Sequence, residues 1–138
     1  YVSTFRDGAW SHHRICRTDH NYDMGSLYLS EDEWQVWVPS DSGPQAYHGG
    51  GEIVIWRSTD EGQTWRREGT VTNESPRNHN YVRRPLHRQD PFFGFWADGD
   101  PTELSRSYLY FGESSGQKAW RLPYEMTGDY AAPEPVDD

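Results

Sequence analysis

The chain has one cysteine, Cys16, in 138 residues, so no disulfide can close within it. It has no apolar run long enough to span a membrane as a helix. Apolar residues make up only 33% of it, too few to supply the steady Leu, Ile and Ala of a helical bundle. Positive charge is also scarce. A net charge of -9 argues against nucleic acid as a partner, because phosphate neutralisation needs a surplus of Lys and Arg. The chain opens on Tyr1 rather than Met, inside a strand-like run. A removed leader, a cut or a truncation would each account for that, and no signal peptide is evident.

What is present points to β structure. Aromatic rings make up 15% of the residues, set in short polar runs with 13 Gly and 9 Pro at the joints. Tyr1 to Phe5 and Trp10 to Cys16 flank Asp7-Gly8, a hairpin signal. Four runs follow: Gly25 to Leu29, Trp34 to Val38, Glu52 to Trp56 and Thr64 to Val71. A second set of four is Tyr81 to Arg84, Phe92 to Trp96, Tyr108 to Phe111 and Lys118 to Leu122. Alternating strands with regular turns suit a sandwich or a propeller. Grouped in fours, they read as an all-β propeller of four-stranded antiparallel blades, with about two and a half blades in this chain. Residues 1–16 then supply the last two strands of one blade, 17–71 a second, 72–126 a third and 127–138 an extended acidic tail. So few blades cannot close a ring, so the remaining blades are expected from a second fragment or chain.

Ser58-Thr59-Asp60-Glu61-Gly62-Gln63-Thr64-Trp65 matches the pattern S-x-D-x-G-x-T-W at Ser58, Asp60, Gly62, Thr64 and Trp65. Asp60 can accept turn amides, Gly62 can take a positive φ, and Trp65 can fold over the hairpin. Those jobs are structural. The run resembles the Asp box of sialidase-like propellers. Further stretches are similar to the BNR-4 repeat group of bacterial proteins: His20 to Leu27, Gly49 to Glu52, Asn78 to Pro85, Phe95 to Gly99 and Leu122 to Met126. That group is similar to propeller polysaccharide lyases, ulvan lyases included. The resemblance implies a secreted or periplasmic carbohydrate-active protein whose partner is an anionic polysaccharide or oligosaccharide. It also implies that the Asp box marks the end of each blade opposite the active site.

The connections at the other end carry the candidate chemistry. His20-x-Tyr22 and His79-x-Tyr81 repeat one pattern in consecutive blades, and in an extended segment both side chains of each pair share a face. A lyase acting on a uronate needs a cation for the carboxylate, a base, and an acid for the leaving oxygen. Arg83 or Arg84 fits the first role, His79 or His20 the second, and Tyr81 or Tyr22 the third. Only one of the adjacent arginines can face the central funnel, and the other is expected to pair with an acid such as Asp90 or Glu74. Equally, His79 and His20 can serve to hold loop backbone, and the tyrosines can be packing rings. Tyr47, His48, Trp96 and Asp98 are candidate substrate-binding groups, with Trp96 and Trp10 expected to be exposed. Gly49-Gly50-Gly51 lacks the Lys-Ser/Thr and the following helix of a phosphate loop, and reads as a place where backbone approaches a ligand or neighbour. Some ulvan-lyase-like propellers hold a structural zinc, for which Cys16 and His20 are candidate ligands; calcium is the other metal considered. The expected activity is β-elimination on a uronic-acid-containing glycan. The competing functions are a sialidase-type hydrolase and a glycan-binding propeller without turnover.

Overall fold

The computed structural model describes residues 1–19, 24–46 and 49–136. Among them there is no helix, and none that could cross a membrane. Eleven strands form three antiparallel sheets. The first is a hairpin of β1 (Val2–Arg6) and β2 (Ala9–His13), closed by Asp7 and Gly8 at φ 49° and 80°. Two successive positive φ values make the primed turn whose twist matches its flanking strands.

The second sheet is a meander of β3 (Ser26–Leu29), β4 (Trp34–Asp41), β5 (Glu52–Ser58) and β6 (Arg66–Thr70). The third runs β7 (Asn78–Arg83), β8 (Gly94–Gly99), β9 (Leu109–Gly112) and β10 (Ala119–Arg121) in the same order. A fifth strand, β11 (Glu134–Val136), pairs with β10, where Arg121 meets Glu134 in an ion pair. The acidic tail thus covers part of that sheet's outer edge.

Up-and-down order puts the turns at two ends. The β3–β4 and β5–β6 turns share one end with the β7–β8 and β9–β10 turns. The connections 42–51, 71–77 and 100–108 gather at the other end. At that second end Gly51 and His79 exchange two backbone hydrogen bonds of 2.9 Å, joining the second sheet to the third. A Cβ on Gly51 would stand 2.1 Å from the Asp41 carbonyl oxygen, so this approach requires glycine.

The Ser58–Trp65 turn is built by its own residues. Asp60 Oδ1 accepts the Thr64 amide at 2.8 Å and the Ser58 hydroxyl at 2.7 Å, and the Ser58 oxygen accepts the Gly62 amide at 2.8 Å. Hydrogen bonds led by the Thr64 hydroxyl hold the Asp60 carboxyl down at about 2. The Trp65 indole donates to the Gly62 carbonyl at 3.0 Å. Gly62 sits at φ 84° with the Trp34 ring 2.7 Å from where its Cβ would be. The third sheet repeats this turn in reduced form at 113–118, where Gly116 has φ 73° and Gln117 follows it as Gln63 follows Gly62. There the carboxylate comes from another connection: Asp90 accepts the Ser114 amide at 2.6 Å and hydroxyl at 2.7 Å.

The two large sheets pack face to face. Tyr28, Trp37, Ile53, Ile55 and Val71 meet Val82, Trp96, Tyr110 and Ala119, with Phe93 between. Tyr28 stacks on Phe93 at 4.4 Å, and Trp37 lies 5.5 Å from Phe93 and 6.4 Å from Trp96. Gly94 leaves room for this, since a Cβ there would lie 3.2 Å from the Trp37 ring.

Candidate functional site

Strand parity decides which candidates reach solvent. On β8, Gly94, Trp96 and Asp98 point toward the second sheet, while Phe95, Ala97 and Gly99 point the other way. Trp96, expected to be exposed, is therefore buried at 2% exposure, and its ring stacks on Tyr110 rather than on any ligand. Trp10, the other ring expected outside, is 65% exposed on the hairpin.

Asp98 has the same parity and lies beneath the surface. Its carboxylate accepts Arg77 Nε at 3.1 Å and Nη2 at 2.9 Å, the Tyr110 hydroxyl at 2.9 Å and the Tyr108 amide at 2.6 Å. Its carbonyl accepts the Ser107 hydroxyl at 2.5 Å. Burial, then the bond to Asp98, push the Tyr110 phenol up, so it stays a donor. Asp98 thus ties the segment before β7 to the start of β9 and fixes the loop end of the sheet.

His79 is buried at 4% exposure with both ring nitrogens engaged. The Trp96 indole N–H, which can only donate, gives its proton to Nδ1 at 3.1 Å. Nε2 therefore carries the ring proton and donates to the Ser75 hydroxyl at 2.9 Å, which in turn donates to Glu52 at 2.8 Å. The Ser75 amide also donates to Glu52 at 2.8 Å, closing a relay between β8, β7, the 71–77 connection and β5. Burial pushes the His79 pKa down to about 4. The folded state thus favours the neutral ring, while the unfolded chain takes up a proton near the ordinary value of 6.5. Stability is expected to be full above that value and to fall as the pH drops toward 4, by on the order of 3 kcal/mol across the window. Urea midpoints measured across this range check it, and a His79→Gln variant should show a flatter acid limb.

Tyr81 does not share His79's face. A β-bulge between Asn80 and Arg83 sets three steps on β7 against two on β8, which turns the Tyr81 ring outward. Tyr81 takes φ 56°, the one such non-glycine residue inside a strand among the described residues. For an aromatic residue this costs about 1–2 kcal/mol. The Asn80 side chain holds it by accepting the Tyr81 amide at 2.9 Å. The ring is 46% exposed, and the Arg83 guanidinium lies 5.8 Å from its centroid. Arg83 also reaches the Met24 sulfur at 3.5 Å, where β7 is joined to the segment before β3 by the Val82 amide and the Met24 carbonyl.

The two arginines separate. Arg84 and Arg88 act on the core-side Tyr28, where burial pushes the phenol up and the two cations offset part of that push. Neither acid suggested as an Arg84 partner holds it among the described residues, and Asp90 is engaged by Ser114. A recess of about 450 Å³ at the end of the β7–β8 turn is lined by His87, Arg88 and Asp90, but Arg88 there lies over the Tyr28 and Phe93 rings. A smaller cleft of about 210 Å³ opens beside Tyr81, between Asn80, Gly99, Pro101 and Ser107.

His20, Tyr22, Tyr47 and His48 lie outside the described residues. Cys16 is half-buried and in no disulfide. Among the described residues no group of three or more His, Cys, Asp or Glu is placed to hold a metal ion. Residues not singled out from the sequence complete the site: Asn80, which supports the bulge, and the Arg77, Glu52 and Ser75 partners of Asp98 and His79. Arg77 stands within twelve residues of Arg83, Arg84 and Arg88, and Glu52 ends the run Gly49 to Glu52, but their partners Asp98 and Ser75 lie more than twenty residues along the chain. Comparison with protein-family models, curated proteins and solved structures returned no match to this chain.

Proposed function

We propose that the chain belongs to a β-propeller of the BNR-repeat, Asp-box kind. The hairpin and the two large sheets are parts of three consecutive blades of a ring that has further blades. Supporting this are two successive four-stranded meanders packed face to face, with the Asp-box turn and its reduced counterpart at one end. In the reading we favour, the protein is secreted or periplasmic and cleaves a uronic-acid-containing polysaccharide by β-elimination.

The observation that carries this reading is the Tyr81–Arg83 pair on a strained first strand of its sheet, because strain of this kind collects at functional sites. Arg83 forms two hydrogen bonds to the uronate carboxylate and offsets the charge that builds up as the C5 proton leaves. The Tyr81 oxygen first gives its own proton to water and then takes that C5 proton. The C5–H electron pair forms the C4–C5 double bond, the C4–O bond breaks, and the leaving oxygen takes the proton back from Tyr81. His79 has no open nitrogen for the base role, so it supports the strand from behind.

Binding without turnover is a second reading, favoured by the engagement of both His79 nitrogens. Incubation with polyuronates separates the outcomes. The lyase produces an unsaturated uronate, seen by its ultraviolet absorbance. New reducing ends without that absorbance would reject elimination in favour of sialidase-type hydrolysis. Binding with no product would leave a glycan-binding propeller.

A further inference from the structure

The outer edge of the third sheet is covered by a segment that holds on weakly. Every residue from Tyr124 to Pro133 is exposed. Among the described residues, none from Glu125 to Pro133 makes a hydrogen bond, an ion pair or a ring contact. β11 then rests on β10 through three residue pairs: Glu134 with Arg121, Pro135 with Trp120 and Val136 with Ala119. Glu134 and Pro135 are exposed, and Val136 alone packs on the core. Pro135 has no N–H to give, and prolines at 133 and 135 make a poor strand. The Arg121 and Glu134 side chains are 39% and 56% exposed, so their ion pair contributes little in water. A strand held this way separates readily from its sheet.

The strip beneath keeps its shape when the segment leaves. β10 stays paired with β9 along its other side. The Arg121 guanidinium lies 4.7 Å from the Tyr108 ring centroid, and Arg77 lies 5.2 Å from the same ring. The Arg121 cation is thus placed at the edge by Tyr108 as well as by Glu134. An open β10 edge offers unpaired backbone groups, this cation and, two residues away, the small Ala119. The segment that fits those features is 134–136 itself, with a carboxylate opposite Arg121 and a valine opposite Ala119.

We infer that this edge is a strand-exchange interface, on which residues 134–136 of a second copy of the chain pair with β10 in place of the chain's own. Each contact given up within one copy is remade between two, so the exchange costs mainly the freedom of the connection. Residues 122–133 extend to about 40 Å, enough to reach a neighbouring copy. β10 and β7 lie on opposite sides of the sheet, so the exchange leaves Tyr81 and Arg83 open.

Charge reversal tests this with the full chain. Arg121→Glu sets a carboxylate against Glu134, and Glu134→Lys sets an ammonium against Arg121, so each variant alone is repelled both within a copy and between copies. Mixed, the two variants match at both contacts, but only between copies. In sedimentation velocity the mixture should dimerise at least ~10-fold more tightly than either variant alone. Amide exchange across Ala119–Arg121 should slow on mixing, and the wild-type dimer fraction should rise with concentration. The double variant Arg121→Glu/Glu134→Lys, which restores the pair within one chain, should return to wild-type behaviour. A mixture that stays monomeric, or that dimerises no more tightly than either variant alone, would overturn the inference. So would a dimer that leaves exchange across β10 unchanged, since the copies would then meet on another face.

Discussion

Replacing Asp98 with Ala should lower stability by about 3–5 kcal/mol, read as a reduced urea midpoint at unchanged slope. The Asp98 side chain is 1% exposed and accepts from Arg77, from the Tyr110 hydroxyl and from the Tyr108 amide. Removal leaves a half-buried guanidinium, a buried phenol and a backbone N–H without their acceptor at once. The size of the effect comes from those orphaned donors more than from the pair's own attraction. A loss below ~1 kcal/mol, the scale of a surface ion pair, would show that water reaches these groups and that the loop end of the third sheet is not fixed as described.

Arg83→Ala is expected to weaken glycan turnover or binding by at least ~100-fold, because it removes a bidentate, charge-assisted contact to the carboxylate. Arg84→Ala should leave the same quantity close to wild type. The neighbours differ only in the direction the strand gives them: Arg83 pairs across from Phe95 and stands by the exposed Tyr81 ring, while Arg84 acts on Tyr28. The bulge at Tyr81 is what places Tyr81 and Arg83 together.

These contrasts show where the sequence could be read and where it could not. The turn from Ser58 to Trp65 was legible because nearly all its hydrogen bonds join residues at most four apart, so the run contains its own partners. The reduced turn at 113–118 was hidden because its carboxylate, Asp90, comes from the β7–β8 connection. The strands of both large sheets overlap the runs that alternation and turn residues mark, with β4 extending to Asp41, β7 starting earlier, at Asn78, and β8 displaced to Gly94–Gly99. That early start depends on long-range pairing of His79 with Gly51 and Asp98, which local pattern does not encode.

Trp96 illustrates the same limit. Its alternation on β8 was plain, but which side of the strand meets another sheet depends on the fold as a whole. Likewise, two residues apart on an extended strand share a face, yet His79 and Tyr81 do not, because the register of β7 against β8 inserts a bulge between them. Residue types at the site were therefore legible, while orientation and partners were set by tertiary register.

The most direct test of the central claim, that Arg83 beside the strained Tyr81 holds the acidic sugar, is a parallel titration. Wild type, Arg83→Ala and Arg84→Ala are each titrated with a uronate-containing oligosaccharide at low salt. The account predicts that affinity falls by at least ~100-fold in Arg83→Ala and stays near wild type in Arg84→Ala. Equal losses in both variants, or a loss confined to Arg84→Ala, would contradict it.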